Sequence, residues 1–324
     1  MAFTTYDFID SNKRKTYFLV AMFPIALMAL TYGTFFLISL FTVEAGAQAA
    51  GGEMQAAIAA THSMVTPILA IVFVIALIWL SISYFSGGEM VLRMANAKPA
   101  NPDTHKEILR MVENMSITAG LPMPKVYIVN DVSMNAFATG RNPKNAYIGL
   151  TTGLINNLEK NEIEAVIAHE LAHIGNRDTT LMLIVILAVG ACTLLGQILL
   201  RSQMFRGRGR GGRGGAVILI LGIILLIYGY LLAPLLRLAL SRRREYQADA
   251  TAALITRDPQ SLISALNRIS GRSHLQSIEG NSLMGDICFE SPAKPKKQTS
   301  SDFFSTHPAV EKRVAALQKM DGLR

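Results

Sequence analysis

The chain has 324 residues, of which 51% are hydrophobic and only 17% charged, and it carries a formal net charge of +8. Soluble domains contain about 25% charged residues, so this composition argues against a soluble globular protein and favours one that crosses a membrane. The two cysteines, Cys192 and Cys288, lie in an apolar segment and a polar region, which excludes a disulfide-rich secreted scaffold.

Four apolar segments are long enough to cross a bilayer, whose core requires about 20 residues of helix. They occupy residues 17–43, 64–85, 179–200 and 216–236. The first is much longer than the roughly 7–15 apolar residues of a secretory signal, so we interpret it as a retained anchor. The sequence therefore predicts two helix pairs, each followed by a polar region.

The charges around the first pair indicate its orientation. Lys13, Arg14 and Lys15 precede the first segment, whereas residues 44–63 contain two glutamates and no lysine or arginine. Because basic flanks remain in the cytoplasm, both polar regions are expected on the cytoplasmic side. The run "RGRGRGGRGG" conflicts with this rule, since it lies outside if the second pair crosses fully. Either the first pair dominates the orientation, or the second pair does not fully cross.

Residues 86–178 have the pattern of a mixed α+β region. The stretches "KVYIVN", "MNAFATG" and "NAYIGL" are three candidate strands, and a helix is predicted before them from the spacing of Ile108, Met111, Val112 and Met115. A second helix is expected after them, with Asn161 as its N-cap. Its predicted buried face consists of Ile163, Val166, Ile167, Leu171 and Ile174.

That second helix contains the sequence "AVIAHELAHIGNRD", residues 165–178. His169 and His173 lie four residues apart, so both imidazoles occupy one helix face about 5–6 Å apart and can bind one Zn²⁺ ion. Glu170 is rotated away from both and can act as a base toward water, as in the H-E-x-x-H signature. An amphipathic helix without a metal is the competing interpretation.

A catalytic zinc site needs a third protein ligand and one open position. The stretch "SRRREYQADA" follows the fourth apolar segment and places Glu245 and Asp249 one helical turn apart. One carboxylate can bind the metal while the other accepts a hydrogen bond from a ligating histidine. We expect Glu245 to be the ligand. Alternatively, Glu245 is an ion-pair partner of Arg242, Arg243 and Arg244.

The succession of "HELAH", two apolar segments, "EYQAD" and "FSTHPAVEKRVAAL" resembles the HtpX-type membrane zinc metalloproteases, relatives of the CaaX prenyl proteases. The resemblance covers nearly the whole chain. It implies that His169, His173 and Glu245 bind one zinc ion per chain, that Glu170 is the general base and that Asp249 orients a ligand. It further implies that Asn135 lies beside the substrate and that His307 steadies the tetrahedral intermediate. Arg313 also matches the family, without a role that the sequence defines.

The fold class expected from these features is an α-helical integral membrane protein with an α+β, zincin-like cytoplasmic catalytic domain. Its regions are an N-terminal transmembrane hairpin (1–85), a catalytic region with the zinc helix (86–178), a second apolar helix pair (179–240) and a C-terminal catalytic region (241–324). Two residues have competing interpretations that remain open: His307 as a helix cap before Pro308, and Asn135 as a turn residue.

The predicted function is a zinc-dependent endopeptidase of the bacterial inner membrane, with its active site facing the cytoplasm. The resemblance implies polypeptide substrates, chiefly misfolded or damaged membrane proteins handled in a stress response. A non-proteolytic membrane chaperone or adaptor with a structural zinc is the alternative, although such a site needs no base at Glu170. A transporter is disfavoured because the apolar segments contain almost no ionisable residues. No nucleic-acid partner is expected, since the arginine-rich run lies between two apolar segments.

Overall fold

A computed structural model describes residues 5–47, 54–205, 219–230, 242–270 and 308–321. Two long helices come first, α1 (Thr5–Ala47) and α2 (Met54–Met94). Both extend into the connection that the sequence predicted over residues 44–63. Alanine has the highest helix propensity of any residue, and the alanine-rich stretches on either side of this connection explain the extension.

The mixed region contains four strands and three helices. The strands are β1 (Lys98–Pro99), β2 (Lys125–Val129), β3 (Ala136–Asn142) and β4 (Asn145–Thr151). The helices are α3 (Lys106–Ala119), α4 (Thr152–Asn157) and α5 (Lys160–Gly175). The three predicted strands and both predicted helices are present, whereas β1 was not predicted.

The sheet has the order β1-β2-β4-β3. Strands β2 and β4 are parallel, and the other two pairings are antiparallel. Gly140 lies at an irregularity in the β3–β4 pairing and has a φ of 135°, and a Cβ atom there would collide with the backbone of Asn145. Among the described strands, β3 is therefore an edge strand with β4 as its one neighbour.

Helix α5, which contains the H-E-x-x-H sequence, begins one residue before the predicted cap. The prediction of Asn161 as the N-cap is wrong, because Glu159 occupies that position and forms a capping box with Glu162. The reciprocal bonds satisfy two backbone N–H groups at once, which a cap at Asn161 would not achieve. Glu162 also accepts from Ser264 and lies 3.0 Å from Arg268 Nε.

The predicted buried face of α5 is confirmed, since all five residues are buried. They join a hydrophobic core with side chains from α3, the sheet and the helices that follow the second apolar pair. Those later helices are α8 (Arg242–Thr256), α9 (Pro259–Ile269) and α10 (Val310–Asp321). Helix α5 packs against α3, α8, α9 and β3, so its residues are held from several sides.

Within the part of the chain that the structure describes, three helices are long and apolar enough to cross a membrane, over Asp10–Phe36, Leu69–Met94 and Asp178–Ser202. The last of these belongs to α6 (Asp178–Phe205). Three of the four predicted spans therefore have a helical counterpart. The fourth predicted segment contains α7 (Leu219–Tyr230), a shorter apolar helix, and the remainder of that segment lies outside the described residues, as does the arginine-rich run.

The chain forms two compact units. The first consists of Met1–Thr16, Tyr84–Leu183 and Leu236–Arg324, and the second of Tyr17–Ser83 and Ile184–Leu235. The core of the first unit contains the sheet and the buried face of α5. The second has a smaller core formed by Phe23, Ala76, Leu80, Ala188 and Cys192.

Candidate metal centre

Two histidines of α5 and one glutamate of α8 meet inside the first unit. One potential ligand atom from each of His169, His173 and Glu245 lies within 4.8 Å of the others. The Nε2 atoms of the two histidines are 3.1 Å apart. Glu245 places one carboxylate oxygen 3.8 Å from His169 Nε2 and the other 3.7 Å from His173 Nε2. Three donor atoms therefore converge on one point from two packed helices.

These distances suit a zinc ion. Ligand atoms held at about 2.0–2.1 Å from a tetrahedral zinc lie roughly 3.3 Å from one another, close to the 3.1 Å between the two Nε2 atoms. Two histidines and a glutamate are also a donor set used by catalytic zinc peptidases, which leave the fourth position open. Without a cation between them, one Nε2 has a hydrogen that it donates to the other, because two facing lone pairs repel each other.

The other nitrogen of His169 is held by Asp249, which lies one turn after Glu245 on α8. His169 Nδ1 is 3.0 Å from Asp249 Oδ1, and both side chains are almost completely buried. An Nδ1–H group that donates to this carboxylate leaves Nε2 as the free base that can bind a metal. The carboxylate thereby fixes both the tautomer and the ring orientation of His169.

Arg313 compensates the buried charge of Asp249. Its Nη2 and Nε atoms donate to the two oxygens of Asp249 at 2.6 and 2.8 Å, and Arg313 is 1% exposed. Such a bidentate pair is the strongest arrangement for holding a carboxylate. Arg313 Nη1 also lies 3.9 Å from Glu245. Arg313 thus joins α10 to α8, the helix that contains Glu245 and Asp249. The sequence defined no role for Arg313, and the structure shows that it holds Asp249.

His173 is oriented by a different carboxylate, Asp178, the first residue of α6. His173 Nδ1 lies 3.1 Å from Asp178 Oδ2. Arg244 Nη1 lies 3.2 Å from the other oxygen of this carboxylate. Each histidine thus has its own carboxylate partner at Nδ1, and each carboxylate has an arginine beside it.

The charges around the two histidines act in opposite directions on their protonation. Burial, aided by Arg313, lowers the pKa of His169 to about 4, although Asp249 opposes the change. Burial also acts to lower the pKa of His173, but the hydrogen bond to Asp178 and the charge of Glu245 outweigh it and raise that pKa to about 9. At neutral pH these pKa values keep His169 neutral and His173 protonated in the metal-free protein.

Glu170 lies between the two histidines in sequence and is 2% exposed. Helical geometry turns its side chain about 100° away from that of His169, so it does not share the face that presents the two imidazoles. Its negative charge contributes to the raised pKa of His173. A carboxylate in this position can exchange a proton with a water molecule beside the metal.

The two remaining predicted residues differ in what the structure describes. Asn135 is buried immediately before the edge strand β3, where its backbone N–H donates to Thr151 and its side-chain oxygen accepts from Ala136 N–H. His307 lies outside the described residues. Sequence reasoning missed Asp178, although it follows His173 by five positions within the quoted stretch, and it missed Arg244 as a partner of that carboxylate.

Comparison with known proteins gives a consistent set of relatives. The sequence model described as Peptidase family M48 matches residues 102–321. A protein named "Protease HtpX homolog" from Bacteroides fragilis (strain YCH46) is 36% identical over 315 residues, which cover 95% of this chain and 96% of that protein. Its namesake from Dictyoglomus turgidum is 36% identical over 319 residues, or 98% of this chain and 95% of that one.

A solved structure was also found. The crystal structure of Ste24p from S. mikatae superposes with a TM-score of 0.43 and 17% sequence identity, covering 94% of this chain and 66% of that one.

Proposed function

The chain belongs to peptidase family M48, and from this membership we propose that it is a membrane-bound zinc endopeptidase. The resemblance to HtpX-type proteases inferred from the sequence is confirmed by relatives that match almost the full chain. Three apolar helices of spanning length support a membrane protein. The proposal names zinc as the metal and Glu170 as the general base.

One observation carries the proposal: His169, His173 and Glu245 converge within 4.8 Å, with a buried carboxylate adjacent to the first histidine in sequence. The three residues would hold the ion. When bound, zinc supplies Lewis-acid activation of a water molecule and of the scissile carbonyl. The chain supplies a base, fixed ligand orientation and exclusion of bulk water.

The proton transfers fall to Glu170. Its carboxylate accepts a proton from the attacking water and delivers it to the nitrogen of the leaving amine, so that it is restored at the end of the cycle. Asp249 and Asp178 keep His169 and His173 in the tautomers that leave both Nε2 atoms available. His307 is the residue we propose to donate a hydrogen bond to the oxyanion of the tetrahedral intermediate.

We propose that the substrate backbone adds to the sheet at β3. Among the described strands, β3 has a neighbour on one side only, and Asn135 stands at its start, where its side chain would contact the substrate. Main-chain pairing of this kind depends little on the substrate's sequence. Such pairing suits substrates that are recognised because they are misfolded or damaged, and not because they share a sequence motif.

The remaining proposals concern the cellular role. The HtpX-type relatives are bacterial proteins, and we propose location in the inner membrane with the metal site on the cytoplasmic side, as the basic N-terminal flank indicates. The substrates would be misfolded or damaged membrane proteins, removed as part of a stress response.

The test uses the full chain, purified in detergent and reconstituted in liposomes. Zinc content is measured, and proteolysis is followed for a membrane protein and for a destabilised variant of the same protein. We expect one zinc per chain, preferential cleavage of the destabilised variant, loss of cleavage with a chelator and its return with zinc. A zinc-loaded protein that cleaves neither substrate would favour the chaperone or adaptor alternative, and equal cleavage of both would contradict the quality-control role.

A further inference from the structure

We propose that Asn12, which precedes the first apolar segment, is a positioning residue for the metal ligand His173. Its side-chain amide holds Asp178 in the orientation in which that carboxylate receives the hydrogen bond from His173 Nδ1. The inference rests on the proposed zinc site and goes beyond it, because it assigns a task at the metal centre to the N-terminal part of the chain. Asn12 lies 164 residues from Asn176 and 166 from Asp178 in sequence.

Asn12 contacts the turn between α5 and α6. Helix α5 ends at Gly175 with Asn176 as its C-cap, and Arg177 then adopts a left-handed conformation with a φ of 63°. Non-glycine residues in this conformation are unfavourable unless their surroundings hold them. Asn12 Nδ2 donates to the carbonyl of Asn176 at 2.8 Å. It therefore binds the turn at the residue directly before the strained one.

This hydrogen bond supplies a donor to a carbonyl group at the C-terminal end of α5. The last carbonyl groups of a helix have no partner within the helix, and a buried carbonyl cannot obtain one from bulk water. Asn176 is 5% exposed, so its carbonyl needs a protein donor. Asn12, itself 4% exposed, provides that donor from a distant part of the chain.

Asn12 also contacts Asp178. The same Nδ2 atom of Asn12 donates to Asp178 Oδ1, also at 2.8 Å. An amide nitrogen has two hydrogens, and here one is directed to the turn carbonyl and one to the carboxylate. Arg244 Nη1 approaches the same oxygen at 3.2 Å. The other oxygen, Oδ2, is left for His173 Nδ1, at 3.1 Å.

The two oxygens of Asp178 thus have separate tasks, and Asn12 enforces the separation. If the amide is removed, Oδ1 keeps Arg244 as a partner but loses a hydrogen bond, and the carbonyl of Asn176 loses the Asn12 donor. The carboxylate can then rotate, and the α5–α6 turn is less constrained. Because the orientation of a metal-bound histidine depends on the group behind it, the expected consequence is weaker zinc binding.

The position of Asn12 links the proposed metal centre to the proposed membrane anchor. Asn12 lies within α1, in the part that forms the candidate membrane span Asp10–Phe36. The helix proposed to anchor the chain in the bilayer therefore also contributes to the environment of a metal ligand. Zinc affinity should depend on the N-terminal segment, although that segment provides no ligand.

The test compares Asn12→Ala and Asn12→Asp with the unchanged chain. Asn12→Asp is nearly isosteric but removes both donors and places a carboxylate against Asp178. Lys13→Ala is the matched control, because Lys13 is the next residue, its side chain is 45% exposed and its ion pair is with Asp10. Zinc dissociation constants are measured by competition with a chromogenic chelator, and the Tm of each metal-free protein is recorded separately.

We expect Asn12→Ala to weaken zinc binding about tenfold, the lower end of the range for groups that orient a ligand. Asn12→Asp should weaken it further, and Lys13→Ala should leave it unchanged. Weakening of less than about threefold in both Asn12 variants would overturn the inference. A zinc affinity equal to that of the unchanged chain together with a lowered metal-free Tm would mean that Asn12 is structural only, which also overturns it.

A double-mutant comparison then tests whether Asn12 affects zinc binding through Asp178. In a chain that already has Asp178→Asn, adding Asn12→Ala should cause little further loss of zinc affinity, because both changes remove the same orientation of His173. Additive losses would show that Asn12 does not act through Asp178. If the unchanged chain does not bind zinc, or binds zinc that His173→Ala does not remove, the proposed zinc site itself is wrong. That result is distinct from a failure of the proposal for Asn12.

Discussion

Arg313 Nη2 donates to Asp249 Oδ1 at 2.6 Å, which joins α10 to the helix that bears the proposed ligand Glu245. Both side chains are almost completely buried, so neither charge is solvated by water. Removing one partner of such a pair typically costs about 3–5 kcal/mol, because the other charge is left buried without compensation. Arg313 is therefore expected to be important for stability as well as for the metal site.

We predict that Arg313→Met lowers the Tm of the protein far more than Lys312→Met, a change at the exposed neighbouring residue on the same helix. Thermal unfolding of both variants in detergent provides the measurement. Equal Tm values for the two variants would mean that the Arg313–Asp249 pair contributes nothing measurable.

The same pair determines a response to acid. Burial acts to raise the pKa of Asp249, but the charge and hydrogen bonds of Arg313 outweigh it and lower that pKa. A carboxyl group with a depressed folded-state pKa stabilises the fold above its unfolded value of about 3.9 and loses this contribution as the pH falls through the folded value. In Arg313→Met the pKa of Asp249 rises, so acid destabilisation should begin at a higher pH than in the parent.

Glu170→Gln should retain zinc and the fold but lose peptidase activity. The amide cannot accept the proton from water, and loss of general-base catalysis typically costs about 10²–10⁴-fold in rate. Glu164→Gln is the control, since Glu164 belongs to the same helix and is only half-buried. Zinc content and turnover of an unfolded protein are measured for both. Near-parental turnover by Glu170→Gln would contradict the proposed mechanism.

The sequence predicted the parts of the fold that local patterns determine. Alternation of apolar residues located β2, and two further candidate strands correspond to β3 and β4. The period of about 3.6 residues located α3 and the buried face of α5. The two-residue strand β1 is too short to have a pattern of its own. The cap of α5 was misassigned because Asn161 and Glu159 both offer side-chain acceptors, and only the reciprocal bond with Glu162 distinguishes them.

At the candidate site, the sequence predicted pairs of residues spaced four apart within one helix. It did not predict contacts between segments that are distant in the chain. The four-residue spacing in α5 indicated the His169–His173 pair, and the same spacing in α8 indicated Glu245 and Asp249. Asn12 and Arg313 reach the cluster from opposite ends of the chain. No local periodicity encodes that a buried carboxylate will need a donor from such a distance.

Another prediction distinguishes a metal ligand from an ion-pair partner at Glu245. Glu245→Ala should greatly lower zinc occupancy, because the site then retains two of its three proposed protein ligands. Arg243→Ala, a change at an exposed residue of the same helix, should retain the metal. Elemental analysis of the purified variants is the measurement, and equal zinc content in both would favour the ion-pair interpretation.

Zinc binding should also depend on pH, with a direction determined by His173. Its pKa of about 9 in the metal-free protein means that zinc must displace one proton at neutral pH. The apparent zinc affinity should therefore rise about tenfold per pH unit and level off near that pKa. A chelator competition series corrected for the chelator's own protonation measures this slope, and a flat profile across neutral pH would contradict the prediction.

The stability of the metal-free protein has the opposite pH trend. Since the folded-state pKa of His173 lies above the ordinary histidine pKa of 6.5, its protonated form stabilises the fold. That contribution is fully present below the unfolded pKa and is lost as the pH rises through about 9. Asp178→Asn removes the main cause of the raised pKa and should reduce the effect.

The final prediction concerns which side of the membrane contains the metal centre. His169, His173 and Glu245 meet in one compact unit, so the polar regions that contain them share one face of the bilayer. Because Lys13, Arg14 and Lys15 form a basic flank, we predict that this face is the cytoplasmic one.

Single cysteines report this orientation when intact cells are treated with a membrane-impermeant thiol reagent, in a background that lacks Cys192 and Cys288. We expect labelling at Gln48, in the first connection, and protection at Glu113, an exposed residue of α3. Labelling at Glu113 without labelling at Gln48 would place the metal centre outside and overturn the proposed topology. A third cysteine at Gly211 tests the arginine-rich run, because labelling there would mean that the second apolar pair crosses the membrane against the charge rule. The two polar regions remain on the same side whether that pair crosses fully or returns as a hairpin, so this outcome decides the membrane architecture and leaves the zinc ligands together.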